Sequence, residues 1–391
     1  MDLLHPSISE SSREAHRETR PPLLPALTSL RFFFAFVVFL SHLRFLRANE
    51  AYKEIYDNYF EEGFLGVSFF FILSGFIITY NYFDKIVEKR ISYRVFFLRR
   101  LFRVYPLHFL TLILSLISFI NSDKHHEFFY IHFVLNIFLL HSFIPSSAFY
   151  FSLNNVSWSI SNELFFYSLA PKAIRILNGI SKNIIFFLFL FVIILGFIFV
   201  SLFLSLDFHR GINHAIVYVN PFFRFMDFIL GMLLCKLYYE GKRITFIQRN
   251  SSLIQISSIV LFSLFFSFHL IVDVTFRYSV YYWIPMLAII FSFSFSNGFF
   301  AYTLKNRILV YLGEISFAFY LLHFLVIRFT SSLALKLFPL LGIPFAGLEA
   351  ELAILCFIIT LILSILSFEF YEKRMNALLT KSLLPVRGSL S

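Results

Sequence analysis

The chain has 391 residues, 59% of them hydrophobic and 14% charged, with a mean hydropathy of +0.78 and a formal net charge of +10. That composition excludes a disordered or ordinary soluble protein. In a chain this apolar a basic excess sets membrane topology, so no nucleic-acid partner is expected. Cys235 and Cys356 both fall inside apolar runs, which leaves neither a disulfide framework nor a cysteine cluster, and no metal site is expected.

Residues 1–26 are polar and Ser-rich, lack the apolar core of a secretory signal, and read as a cytoplasmic tail. Apolar runs of membrane-crossing length follow at about 27–46, 64–82, 104–120, 184–206, 222–239, 253–272, 279–297, 308–328 and 347–371. A second cytoplasmic tail is expected over 373–391. The segment 131–171 is ambiguous, with apolar stretches on either side of a polar break at Ser146–Asn155. Charge resolves it. With the amino terminus and alternate loops inside, 24 Lys and Arg lie on the cytoplasmic side and eight on the other, Arg224 falling within a span. This split requires 121–172 to cross an odd number of times, which one re-entrant arm plus one crossing satisfies. The expected fold is therefore all-α: a polytopic transmembrane helical bundle over 27–372, with about ten spans plus a re-entrant segment and both termini cytoplasmic. The polar break is tolerable at membrane depth only where it lines a cavity or packs within protein.

Four segments carry candidate chemistry. Arg31 and His42 are eleven residues apart on the first span, nearly three helical turns, so both leave one face, with His42 roughly 16 Å deeper. A titratable group expected near the middle of the hydrocarbon is a functional-site candidate, although histidines also serve as interhelical hydrogen-bond partners. Gly66–Gly75 places Ser74 among small residues in an aromatic span, where close helix packing is the simpler reading. Arg94, Arg99, Arg100 and Arg103 form a juxtamembrane cluster suited either to anionic lipid or to the phosphates of a cytosolic ligand. Glu163 follows Trp158 inside an apolar stretch and shares a face with Tyr167 four residues on. An intramembrane acid needs a partner, and His42 is the expected one, since a carboxylate that orients an imidazole is the usual general-base arrangement.

Taken in order, these motifs resemble the membrane acyltransferase family 3, whose members O-acylate carbohydrates. Leu27–Arg31 leading to His42 is similar to the family's first span. Gly66–Gly75, Arg100-Leu-Phe-Arg103-Val-Tyr-Pro106, Trp158-Ser-x-x-x-Glu163 through Tyr167, Arg224–Gly231, Leu312 through His323 and Tyr371-Glu372 resemble its later elements. Departures are Leu164 where a second acid often stands, Asp227 for Glu, and Phe32 for Gly.

The resemblance implies an integral-membrane O-acyltransferase of the cell (inner, cytoplasmic) membrane. Acyl-CoA, acetyl-CoA foremost, would enter from the cytoplasmic side as co-substrate, with no bound cofactor. The acceptor would be a hydroxyl of an envelope or exported carbohydrate or a lipid-linked glycan. Arg31, Arg100 and Arg103 would hold the donor. His42 would serve as general base or transient acyl carrier, oriented by Glu163, with Ser74, Trp158, Tyr167, Arg224 and His323 supporting the site. A transporter or flippase of a polysaccharide intermediate is the alternative, because Glu163, Arg224, Asp227 and His323 would equally suit a polar pathway.

Overall fold

The computed structural model describes residues 22–120, 129–206, 208–295, 297–341 and 347–383, and all its regular structure is helical. Of the two expected tails, residues 1–21 and 384–391 lie outside the described residues, and Lys373–Leu383 is a helix. Among the described residues ten long helices make the bundle: α1 Pro25–Ser41, α2 Leu65–Val87, α3 Tyr93–Ile120, α4 Trp158–Asn178, α5 Lys182–Ser205, α6 Pro221–Gly241, α7 Ser251–Ser267, α8 Val280–Ser294, α9 Arg307–Leu340 and α10 Glu349–Ser367. Eight helical runs, those containing α1, α2, α3, α5, α6, α8, α9 and α10, are long and apolar enough to cross a membrane. Counted with α4 and the 17-residue α7, the long helices number ten, as the charge distribution requires.

The first helix is shorter than its apolar run. Instead of continuing to residue 46, α1 stops at Ser41, and short helices follow at Arg44–Ala48 and Glu50–Ile55. Local hydrogen bonds account for the stop. The Tyr56 hydroxyl donates to the Ser41 carbonyl at 2.5 Å, and the Ser41 hydroxyl and the His42 ring both reach the Val38 carbonyl. The Val38 and Ser41 carbonyls are thus met by side chains, and those of Phe39 and Leu40 by tight backbone bonds from His42 and Leu43, rather than by another α-turn. His42 consequently caps the helix at the end opposite Pro25, instead of lying within a helix that runs on to residue 46.

The tightest joint is between α2 and α6. A Cβ at Gly75 would collide with the Phe228 carbonyl, and one at Gly231 with the Ile72 carbonyl. Only glycine at both positions lets the two backbones touch, the usual role of small residues between membrane helices. Gly313 does the same for α9 against the Thr28 carbonyl of α1.

The expected re-entrant segment is a folded arm of three short helical pieces, Phe129–Ile137, His141–Phe143 and Ser147–Tyr150, ahead of α4. Leu139 and Leu153 turn the chain with φ of +54° and +60°, a conformation that leucine holds only where the surroundings enforce it. Here they do. The fully buried Asn136 side chain donates to the His132 carbonyl and the Ser152 hydroxyl, each at 2.8 Å, and the His108 ring meets the Asn136 carbonyl at 2.9 Å. Ser142 pairs with Ser161 at 2.7 Å, Ser161 donates to the Leu139 carbonyl, and Asn154 donates to the Leu321 carbonyl at 3.1 Å. Irregular backbone is tolerated in this arm because it packs within protein.

Gly231→Leu should force α2 and α6 apart, at a cost of about 1–3 kcal/mol for overpacking, and lower the detergent-solubilised protein's melting temperature by several degrees. Gly179→Leu should be neutral, because the nearest atom to its added Cβ lies at 3.7 Å. Equal melting temperatures for the two variants would refute the contact as a determinant of stability.

Candidate active site

A cavity of about 420 Å³ opens among α1, α2, α3, α4 and α9, within the usual range for small-molecule sites. Arg31, Arg100, Arg103 and Lys85 stand at its polar end, and Phe70, Phe71, Val67 and Tyr320 line its walls and inner reach. The helices dictate this layout. Arg100 and Arg103 are three residues apart and share a face of α3, and Ser74, Asn81 and Lys85 fall at seven- and four-residue steps along one face of α2. Arg100 donates to the Tyr82 hydroxyl at 2.6 Å and lies over that ring at 4.8 Å. Among the described residues no carboxylate oxygen lies within 4 Å of the Arg31, Arg100 or Arg103 guanidinium groups. Glu163 and Glu372 stand at longer electrostatic range. Cations grouped without direct neutralisation are suited to a multiply charged anion.

Glu163 lines this cavity and accepts a 2.9 Å hydrogen bond from the Tyr167 hydroxyl. Ser74 lines it beside them. The expected contact between Glu163 and His42 is absent. His42 is not among the cavity-lining residues, and its ring meets the Val38 carbonyl at 2.8 Å, Ser41 at 3.4 Å and His323 Nε2 at 3.4 Å. The physical reason is helix register: Glu163 shares its depth with Arg31 and Tyr167, whereas His42 lies at the far end of α1, level with His323 on α9. Cavity and histidine pair are nonetheless neighbours. Tyr320 lines the cavity, and its ring centroid is 5.7 Å from that of His323, one helical turn further along α9.

Trp158 and Arg224 stand behind the cavity wall. Trp158 packs edge-on against Phe71 and beside Tyr218. Arg224 is fully buried and holds the Ser68 hydroxyl at 2.8 Å, the Tyr278 carbonyl at 3.0 Å and the Asp227 carboxylate at 3.4 Å, with its guanidinium 5.1 Å from the centroid of the Phe71 ring. Asp227 in turn accepts from the Trp283 indole at 2.7 Å. This buried ion pair braces the wall against which a ligand would lie; breaking it one-sidedly would leave an uncompensated charge. Sequence reasoning missed Tyr82, Asn81, Lys85, Ser159 and Tyr320. The polar stripe on α2 was a usable signal for Asn81 and Lys85, whereas nothing in sequence sets Tyr82 apart from the chain's other tyrosines.

Residues 24–369 match the family described as an acyltransferase domain. The chain is 27% identical over 319 residues to the acyltransferase MdmB of Streptomyces mycarofaciens, an alignment covering 78% of this chain and 79% of that protein. It is 28% identical over 211 residues to an uncharacterized protein of Haemophilus influenzae, covering 50% of this chain and 85% of the relative. No solved structure matches.

Tyr167→Phe should destabilise by about 1.5–3 kcal/mol, the usual value of a hydrogen bond to a charged group. Glu163→Ala should cost more, because it also removes a counter-charge from three guanidiniums. The double variant should fall short of the sum by at least about 0.5 kcal/mol, read as melting temperatures in detergent. Strict additivity would mean the two side chains do not act together.

Proposed function

The chain belongs to acyltransferase family 3, and from that premise we propose that this membrane enzyme transfers an acyl group, acetyl foremost, from acyl-CoA to a carbohydrate hydroxyl. The donor's nucleotide phosphates bind at Arg31, Arg100 and Arg103 on the cytoplasmic side, and its pantetheine arm follows the apolar wall of the cavity toward Tyr320. One observation carries the reading: three guanidiniums, with no carboxylate within 4 Å among the described residues, border an apolar-walled cavity whose inner reach adjoins the His323–His42 pair. Guanidinium forks suit phosphate, and the arm's length suits a narrow apolar passage. The 24:8 charge distribution supports the same orientation, with both termini inside and the acceptor arriving from the opposite face at the His42 end.

In this reading His42 is the general base on the acceptor hydroxyl or the transient acyl carrier. Glu163 acts on the arginines and Tyr167 rather than on the imidazole. Of the residues that would suit a transport pathway, Arg224, Asp227 and His323 are fully buried and do not line the cavity, and Glu163 lines it beside the arginines, which favours transfer over transport.

Purified protein given acetyl-CoA and a glycan acceptor should release free CoA thiol, and His42→Ala should reduce that release by at least about 10²-fold, the lower range for general-base assistance. Arg100→Ala and Arg103→Ala should raise the KM for acetyl-CoA more than they lower kcat, with Lys rescuing only in part because it lacks the planar fork. Unchanged KM in both alanine variants would reduce the cluster to a topological signal, and undiminished thiol release by His42→Ala would remove His42 from the chemistry.

A further inference from the structure

The hydrogen-bond partners of the two histidines determine which ring nitrogen each leaves free. His42 Nδ1 lies 2.8 Å from the Val38 carbonyl. A carbonyl only accepts, so Nδ1 carries the hydrogen and Nε2 holds the lone pair. That Nε2 makes no hydrogen bond, yet it is not among the buried unpartnered atoms, so water can reach it. On α9 the same logic applies one step removed. His323 Nδ1 lies 3.3 Å from the Phe319 carbonyl, which places its hydrogen there and turns the Nε2 lone pair toward His42 Nδ1 at 3.4 Å. The rings meet edge-on, centroids 4.9 Å apart. His42 Nδ1–H thus has the Val38 carbonyl at 2.8 Å, with the Ser41 hydroxyl oxygen and the neutral His323 imidazole each at 3.4 Å.

We propose that His323 is the positioning residue for His42, a neutral acceptor in the place that a carboxylate occupies in the familiar Asp–His pair. It rests on the reading of His42 as general base. In the reaction the acceptor hydroxyl passes its proton to His42 Nε2 as its oxygen bonds the thioester carbonyl carbon. The C–S bond breaks, and the same proton leaves Nε2 for the departing thiolate. Between those events His42 is an imidazolium, and the His323 lone pair and the Val38 carbonyl share its Nδ1–H. Burial explains why an imidazole serves here. His323 is fully buried, with Phe39, Phe319 and Tyr320 against its ring. A carboxylate in that apolar shell would pay a large desolvation cost, which a neutral acceptor avoids.

Two substitutions separate the acceptor from mere packing. His323→Phe keeps an aromatic ring but removes the lone pair, and His323→Gln keeps an acceptor at the reach of Nε2. The expected result is a kcat about ten- to a hundredfold lower in His323→Phe, the range of a charge-assisted hydrogen bond, with the KM for acetyl-CoA within about twofold and most of kcat restored in His323→Gln. Unchanged kcat in His323→Phe, or equal losses in folded Phe and Gln variants, would overturn the proposal. A readout independent of activity covers a Phe variant that does not fold: ¹⁵N-histidine spectra of the full-length parent, with the His42 signal assigned by its loss in His42→Ala. An Nδ1–H tautomer of His42 is expected, and an Nε2–H tautomer would overturn the assignment. Undiminished turnover by His42→Ala would instead defeat the general-base reading itself, whatever the tautomer.

Discussion

Inside a bilayer no water is available to a polar group, so each must find its partner within the protein or in a cavity the protein encloses. This constraint organises the bundle. Arg224 can sit fully buried because Ser68, Tyr278 and Asp227 converge on it. Ser68 reaches it because Gly75 and Gly231 let α2 and α6 approach until backbone meets backbone. The broken arm ahead of α4 survives by the same rule, its loose amides and hydroxyls tied to α3, α4 and α9. The arginine end of the cavity, with no carboxylate within 4 Å among the described residues, and the open nitrogen of His42 are polar groups that also border cavity or water. Those two are where chemistry can occur.

Their separation has a mechanistic sense. A donor held by its phosphates at one face and an acceptor held at the other need a meeting point that neither can pass. The cavity's inner reach at Tyr320, one helical turn from His323 and its neighbour His42, supplies such a point in the proposed reading. Apolar walls of Phe70, Phe71 and Val67 exclude water from the arm's path, which protects a thioester from hydrolysis. In that same reading the Glu163–Tyr167 pair serves donor recognition, tempering three cations in a confined space.

The bundle was legible in sequence because its signals are local. Apolar length, loop charge and the parity of the 121–172 segment yield ten long helices, and three- or four-residue spacing puts Arg100 with Arg103 and Glu163 with Tyr167. What escaped was set by long-range register. Periodicity carried α1 past His42, since only Tyr56, fifteen residues after Ser41, shows that the helix stops there. The partner of His42 could not be read, because Glu163 and His323 both lie on helices that could slide by a turn relative to α1. Gly313 against the Thr28 carbonyl fixes that register for α9, and no spacing rule within either helix reveals it. The pairing of Glu163 with His42, read from an intramembrane acid's need for a partner, gives way to an imidazole that stands beside another imidazole.

The central claim is that one passage joins the arginine cluster to His42. A cryo-electron microscopy reconstruction of the protein with a non-hydrolysable acyl-CoA thioether tests it most directly. The account predicts phosphate density against Arg31, Arg100 and Arg103, an arm running between Phe71 and Tyr320, and the acyl carbon within reach of His42 Nε2. Density for the arm leading away from Tyr320, or phosphates bound elsewhere with the cavity empty, would contradict it.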